Sequence, residues 1–199
     1  MDNNRRPLMD NNRRPLIAAI VVALLQTAFL GYMIESRASI LRNGVDVVLK
    51  TVPVDPRDLL RGDYVILAYD ISSIPTEKIT GGFPKEAIDA QISVRLEKQP
   101  DGFWDVSEAS FGQLASKDGT VVARSAPFYF YPTPDSPPSS LNVEYGIERF
   151  YVPEGEGRVL EEARNASALA VTASASGDGR MQIRLISIDG KPLYEEPLY

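Results

Sequence analysis

Four aspartates, Asp55, Asp58, Asp63 and Asp70, interleave with Arg57 and Arg61 and are the carboxylates of the chain whose grouping could do chemistry. Carboxylates grouped in this way could act as an acid–base pair or, with backbone carbonyls, hold a calcium ion. The spacing lacks the EF-hand pattern, and acidic residues flanking arginines usually form solvated ion pairs. Arg61-Gly62-Asp63 matches an adhesion tripeptide by letter, yet a glycine turn ahead of a strand explains the same residues. The chain has no histidine and no cysteine. It can therefore supply no imidazole or thiolate to a zinc, haem or copper site, no imidazole base and no disulfide. This reading assigns no catalytic, cofactor-binding or metal-binding residue and implies no cofactor.

These aspartates lie on or beside the stretch around which the chain is organised, Val52 to Ile71. Pro53 and Pro56 fix their own φ and push Val52 and Asp55 toward extended geometry. Asp55 can then cap one helical turn over Pro56, Arg57, Asp58 and Leu59. Gly62 tolerates the left-handed conformation that would end it. From Asp63 onward, β-branched and aromatic residues predict a central strand through Ile71. Its odd face is Val65, Leu67, Tyr69 and Ile71, and its even face is Tyr64, Ile66 and Ala68. On this reading Asp63 accepts amides of the preceding turn, and Tyr64 lays its ring on the core.

Gly62, Asp63, Tyr64, Leu67 and Tyr69 spell a motif letter for letter, preceded by VDPRDLLR with Asp55 and Arg57. A second stretch, YGIERFYVPEGEGRVLE, runs from Tyr145 to Glu161 and carries Gly146, Pro153, Glu154 and Gly155. The two together resemble the GDYxxLxY family of bacterial membrane-anchored proteins. The resemblance implies an architecture and a location but no reaction. It also implies that the protein works beside multi-span membrane proteins of the envelope.

The chain begins with MDNNRRPL twice, from Met1 and from Met9, a duplication that leaves Met9 as an alternative start. Residues 1–15 read as a basic cytoplasmic tail, since Arg5, Arg6, Arg13 and Arg14 precede an apolar segment. Leu16 to Ile34 carries no charge. As a helix it would reach about 28 Å, close to the hydrocarbon core of a bilayer and longer than the apolar part of a cleavable signal. Length favours an uncleaved anchor; Ser36 and Ala38 are the small residues at which a peptidase could cut. Tyr32 is placed as an interfacial aromatic. Residues 35–199 are then a single extracytoplasmic domain. Setting aside Arg5, Arg6, Arg13, Arg14, Asp2 and Asp10 leaves it 17 basic and 25 acidic residues, a net charge of −8. That balance disfavours nucleic acid and anionic lipid surfaces as partners.

Within the domain, Glu35 to Asn43 reads as a helical stalk stopped by Gly44, and Val45 to Val54 as the first strand. Residues 72–87 read as a long loop. Ile92 to Lys98 with Phe103 to Ala109 forms a hairpin, and Val121 to Arg124 continues the meander. Trp104 is expected in the core and the proline-rich segment after Tyr131 on the surface. Gly146, between Leu141–Tyr145 and Ile147–Val152, suggests a bulge or a close backbone approach. Glu154 to Arg164 reads as a short helix burying Val159, Leu160 and Ala163. Leu169–Ala175 and Met181–Ile188 form a second hairpin, and Asp189-Gly190 turns the chain into Pro192–Tyr194. The fold expected is mainly β, a curled antiparallel sheet, sandwich or partly open barrel, with one N-terminal transmembrane helix and one short helix.

Membrane-anchored signal peptidases also lead a proline-containing segment into Gly-Asp and an apolar strand. They need a serine nucleophile on that approach and a lysine base later. Val52 to Arg61 contains no serine. The reading is thus a membrane-anchored binding or assembly module of the cell envelope, single-pass in the inner membrane with a cytoplasmic N-terminus and a periplasmic domain. The alternative is a membrane-anchored enzyme, signal-peptidase-like in shape or a carboxylate-based hydrolase, with Asp63 at its site.

Overall fold

A computed structural model describes residues 13–53, 64–132, 138–153 and 157–197. The chain divides into two compact units, Met1–Ser39 and Ile40–Tyr199. Helix α1, Arg13–Asn43, opens with a run that is apolar on every side; none of its most apolar window is buried, and it is long and apolar enough to cross a membrane. A core helix would hide one face of such a run, whereas here Ile17, Leu24 and Phe29 are all exposed.

The second unit starts with the last turn of α1. The Gly44 amide donates to the Ile40 carbonyl at 2.8 Å, and the buried Ser174 hydroxyl donates to the same oxygen at 2.9 Å. Gly44 has no positive φ. Its requirement is space: a Cβ would lie 2.5 Å from both the Ile40 carbonyl oxygen and Ser174 Oγ. The helix-ending glycine expected from sequence is therefore needed for close approach rather than for a left-handed cap.

Two four-stranded sheets carry most of the unit. In the first, β1 (Val45–Lys50) is an edge strand. Its neighbours in order are β12 (Leu169–Ala175), β13 (Met181–Ile188) and β14 (Lys191–Glu195), all antiparallel. The second sheet centres on β6 (Ser93–Lys98), flanked by β7 (Trp104–Ser110) and the edge strand β8 (Thr120–Arg124). Alternation sends Val47 and Leu49 of β1, Val171 and Ala173 of β12, and Val94 and Leu96 of β6 into one shared core. Trp104 is half-buried and packs against that core rather than inside it. Arg95 is buried in β6 because its guanidinium is fully engaged, by Glu108 Oε2 at 3.0 Å, Thr120 Oγ1 at 3.1 Å and the Ala115 carbonyl at 2.9 Å.

Short pairs complete the fold, and they revise several expectations. The expected loop after Ile71 contains β3 (Ser73–Pro75) and β4 (Ile79–Thr80). Strand β3 pairs with β10 (Ser140–Asn142), and β4 runs parallel to β7. Strand β5 (Ile88–Ala90), which the sequence reading missed, pairs with β9 (Phe128–Phe130). Among the described residues the expected central strand is β2 (Tyr64–Ile66), with β11 (Arg149–Tyr151) as its one partner. Beyond Ile66 the chain changes partners instead of extending one ladder. The Leu67 amide donates to the Glu148 carbonyl, the Val52 amide donates to the Ala68 carbonyl, and Tyr69 bridges Thr51. The odd face still buries as expected, since Val65, Leu67, Tyr69 and Ile71 are at most 1% exposed.

Helix α2 (Gly157–Asn165) buries Leu160 and leaves Ala163 half-buried, but Val159 is 55% exposed and Arg164 takes the expected inward place at 2%. Among the described residues none of the sheets closes into a barrel.

Candidate functional site

The two motif stretches meet in space. Strand β2 comes from the first and β11 from the second, in the register Tyr64↔Tyr151, Val65↔Phe150 and Ile66↔Arg149. Because strand side chains alternate, this ribbon has two faces of different character. Val65 and Phe150 point into the core, and the Phe150 ring packs 5.7 Å from that of Tyr194. Tyr64, Ile66, Arg149 and Tyr151 form the outward face, where Tyr151 is 71% exposed and Ile66 is 39% exposed. The rings of Tyr64 and Tyr151 stand 5.9 Å apart, and the Arg149 guanidinium lies 5.9 Å from the Tyr64 ring centroid. Tyr64 is half-buried within this surface group, so its ring does not rest on the core as expected from sequence.

Behind the ribbon a reciprocal clasp holds the two stretches together. The Tyr69 hydroxyl donates to the Ile147 carbonyl at 2.7 Å, and the Tyr145 hydroxyl donates to the Ile71 carbonyl at 2.8 Å. Each tyrosine thus satisfies a buried carbonyl in the other's segment, a need that burial makes strict. Burial first, and the nearby Glu148 carboxylate second, raise both phenols well above the ordinary tyrosine range, so both remain donors.

The turn that presents Tyr145 is built around Gly146, whose φ of +80° suits glycine. Glu148 closes this turn by accepting the amides of Tyr145 and Gly146 at 2.5 and 2.8 Å. Gly146 is therefore a turn residue rather than a bulge. Burial raises the Glu148 carboxyl above its ordinary range, against the lowering effect of those amides.

Arg164 secures α2 to the ribbon from within. Its Nη1 donates to the Ile66 carbonyl, and Nε and Nη2 donate to Asn165 Oδ1 at 3.2 and 3.1 Å. No ion pair to Arg164 occurs among the described residues. The reading of α2 as an apolar-faced helix passed over this arginine. The available signal was its position four residues after Leu160, on the same helical face.

The sequence-derived site residues thus separate into three groups. Leu67, Tyr69 and Tyr145 are buried in the clasp, with Gly146 in its turn. Tyr64 lies on the outward face, and Pro153 is exposed just past β11. Asp55, Arg57, Gly62, Asp63, Glu154 and Gly155 lie outside the described residues, as do the turn over Pro56 to Leu59 and the middle of the proline-rich segment. Among the described residues no group of three or more acidic side chains could hold a metal ion.

Together these features define a β protein of open antiparallel sheets, with two clasped motif segments and one helix apolar enough to span a membrane. The chain belongs to the GDYXXLXY protein family, whose model matches residues 26–185. No curated protein and no solved structure matches the chain.

Proposed function

We propose that the protein is a membrane-anchored binding or assembly module of the cell envelope and that it docks a partner on the outward face of the β2–β11 ribbon. The observation that carries this reading is the composition of that face. Tyr64, Arg149 and Tyr151 are three residues of the types that dominate interface energetics, and they are set on a ribbon whose other face is fixed in the core. Phe150 and Val65 anchor the ribbon in the core, a task in which the outward side chains take no part. The apolar part of α1 would confine the domain to one membrane surface, with the N-terminus cytoplasmic and the domain periplasmic. The corresponding partner is a multi-span protein of the same inner membrane.

The test is photo-cross-linking in intact membranes from a benzophenone side chain at position 151, followed by purification in mild detergent. A discrete heterologous adduct is expected, lost in the Arg149→Ala/Tyr64→Ala variant while its melting temperature stays within a few degrees of the wild type. Recovery of the protein alone overturns the reading.

A further inference from the structure

A cavity of about 560 Å³ opens at the seam between the two large sheets, on residues none of which belongs to the ribbon. Strand β8 forms one wall, the chain around Gln113 to Ser116 another, and the Ser176–Gly179 turn joining β12 to β13 a third. The turn is stitched to the strand, since the Arg124 amide donates to the Gly179 carbonyl at 2.8 Å. Gly179 has φ +87°, and a Cβ there would lie 3.0 Å from Arg124. This wall is therefore held close by design of the backbone.

Part of the polar lining is without a partner among the described residues. Arg124 is the sole cationic side chain of the cavity, and its guanidinium makes no ion pair or hydrogen bond among the described residues. The Gln113 carboxamide and the hydroxyl of Ser93, itself only 6% exposed, likewise have no partner among the described residues. Asp178, the carboxylate of the lining, is already held by Ser176 and by Arg180 at 2.8 Å. The apolar share comes from Val45, Leu114, Val121 and Val122, with no aromatic ring.

The wall formed by β8 also offers backbone. The Arg124 amide points away from β6 to Gly179, whereas the Ser125 amide points toward β6 and donates to the Ile92 carbonyl. Antiparallel alternation then turns the Val122 amide and carbonyl away from β6; the carbonyl faces Gly179, whose Cβ position would lie 3.3 Å from it, and the amide is left on the side of the cavity. No hydrogen bond meets them there among the described residues.

We propose that this cavity takes the carboxylate end of a short, small-residue peptide, whose main chain accepts from the Val122 amide and whose terminal carboxylate lies on Arg124. The volume falls in the range of small-ligand sites, about 300–1,000 Å³. One guanidinium with a hydroxyl and a carboxamide matches a monocarboxylate, which a planar fork binds through two hydrogen bonds. A phosphate dianion would find only that one cation for its two charges, whereas a carboxylate needs one; Asp178 is already held by Arg180 in either case. Nucleobases and sugar rings would find no aromatic surface. A peptide uses the whole set: a main-chain carbonyl for the Val122 amide, aliphatic walls for short side chains, and the cation for the chain end.

Calorimetric titration of the full chain in detergent micelles with tri-alanine provides the test. Saturable binding is expected, at least about tenfold weaker for tri-alanine C-terminal amide and weaker by a similar factor for Arg124→Met. Ser93→Ala should weaken it several-fold. Equal binding of a ten-residue peptide ending in the same three alanines assigns the site to protein chain ends, and its exclusion assigns it to free short peptides. Equal affinity for acid and amide overturns the proposal, as does wild-type affinity in Arg124→Met. So does the lack of saturable heat from a wild-type protein that melts cooperatively.

Discussion

At the residue scale, two glycines separate two reasons for the same residue. Gly146 needs its left-handed φ but has open space around the position of a Cβ, so Gly146→Ala should cost about 1–2 kcal/mol through backbone strain alone. Gly44 has the ordinary sign of φ, but a Cβ would meet two backbone oxygens and the buried Ser174 hydroxyl. Gly44→Ala should cost about 1–3 kcal/mol through overpacking, and Gly44→Ala/Ser174→Ala should recover part of it; chemical denaturation reads both. The clasp gives a third case. Tyr69→Phe and Tyr145→Phe each leave a buried carbonyl without its donor and should each cost about 1–3 kcal/mol, whereas Tyr151→Phe, on the exposed face, should cost almost nothing. Sequence alternation identified Tyr69 as buried but placed Tyr64 on the core as well. The difference does not lie in parity, since the sequence already sets Tyr64 on the face of Ile66, but in the expectation of a central strand covered on both faces: in the structure that face points outward, with Ile66 39% exposed.

At the element scale, the Gly146 turn is a pH-sensitive part of the clasp. The folded protein raises the Glu148 carboxyl, so just above the ordinary carboxylate range the folded state keeps a proton that the unfolded chain has released. Stability should therefore fall as pH rises through that window and level off once the folded carboxyl has also ionised. In melting curves from pH 4 upward, the wild type should lose stability relative to Glu148→Gln over that window, with a constant difference above it. The hairpins β6–β7 and β12–β13 were legible in the sequence because their turns carry Asp-Gly pairs and their strands alternate over six to eight residues. Strands β3, β4 and β5 were not, since two or three residues carry no period and gain their geometry from partners such as Leu141 and Phe130, far along the chain. Helix α2 was legible as an element but not in orientation. Its inward position at 164 is set by the exposed-edge carbonyl of Ile66, a demand that only the assembled ribbon creates.

At the scale of the whole molecule, the charge asymmetry around the apolar run gives a direct expectation: four arginines precede it, and Arg37 and Arg42 follow soon after. A reporter that matures only outside the cytoplasm, fused after Tyr199, should be active; silence at normal expression would reverse the proposed orientation. The pairing order of the first sheet bears on how such a chain acquires its fold. Among the described residues strand β1 pairs only with β12, and the Thr51 hydroxyl reaches across 118 residues to the Leu169 carbonyl. The clasp spans 74 and 78 residues. As the chain is made from its N-terminus, β1 remains an open edge until nearly all of the domain has followed it, and the loop-closure entropy of both links must be met before either returns stability. Refolding should accordingly be slow for its size, in the range of milliseconds to seconds rather than microseconds. A chain that stops short of Leu169 leaves β1 an unpaired strand next to an apolar helix, open to pairing with another chain.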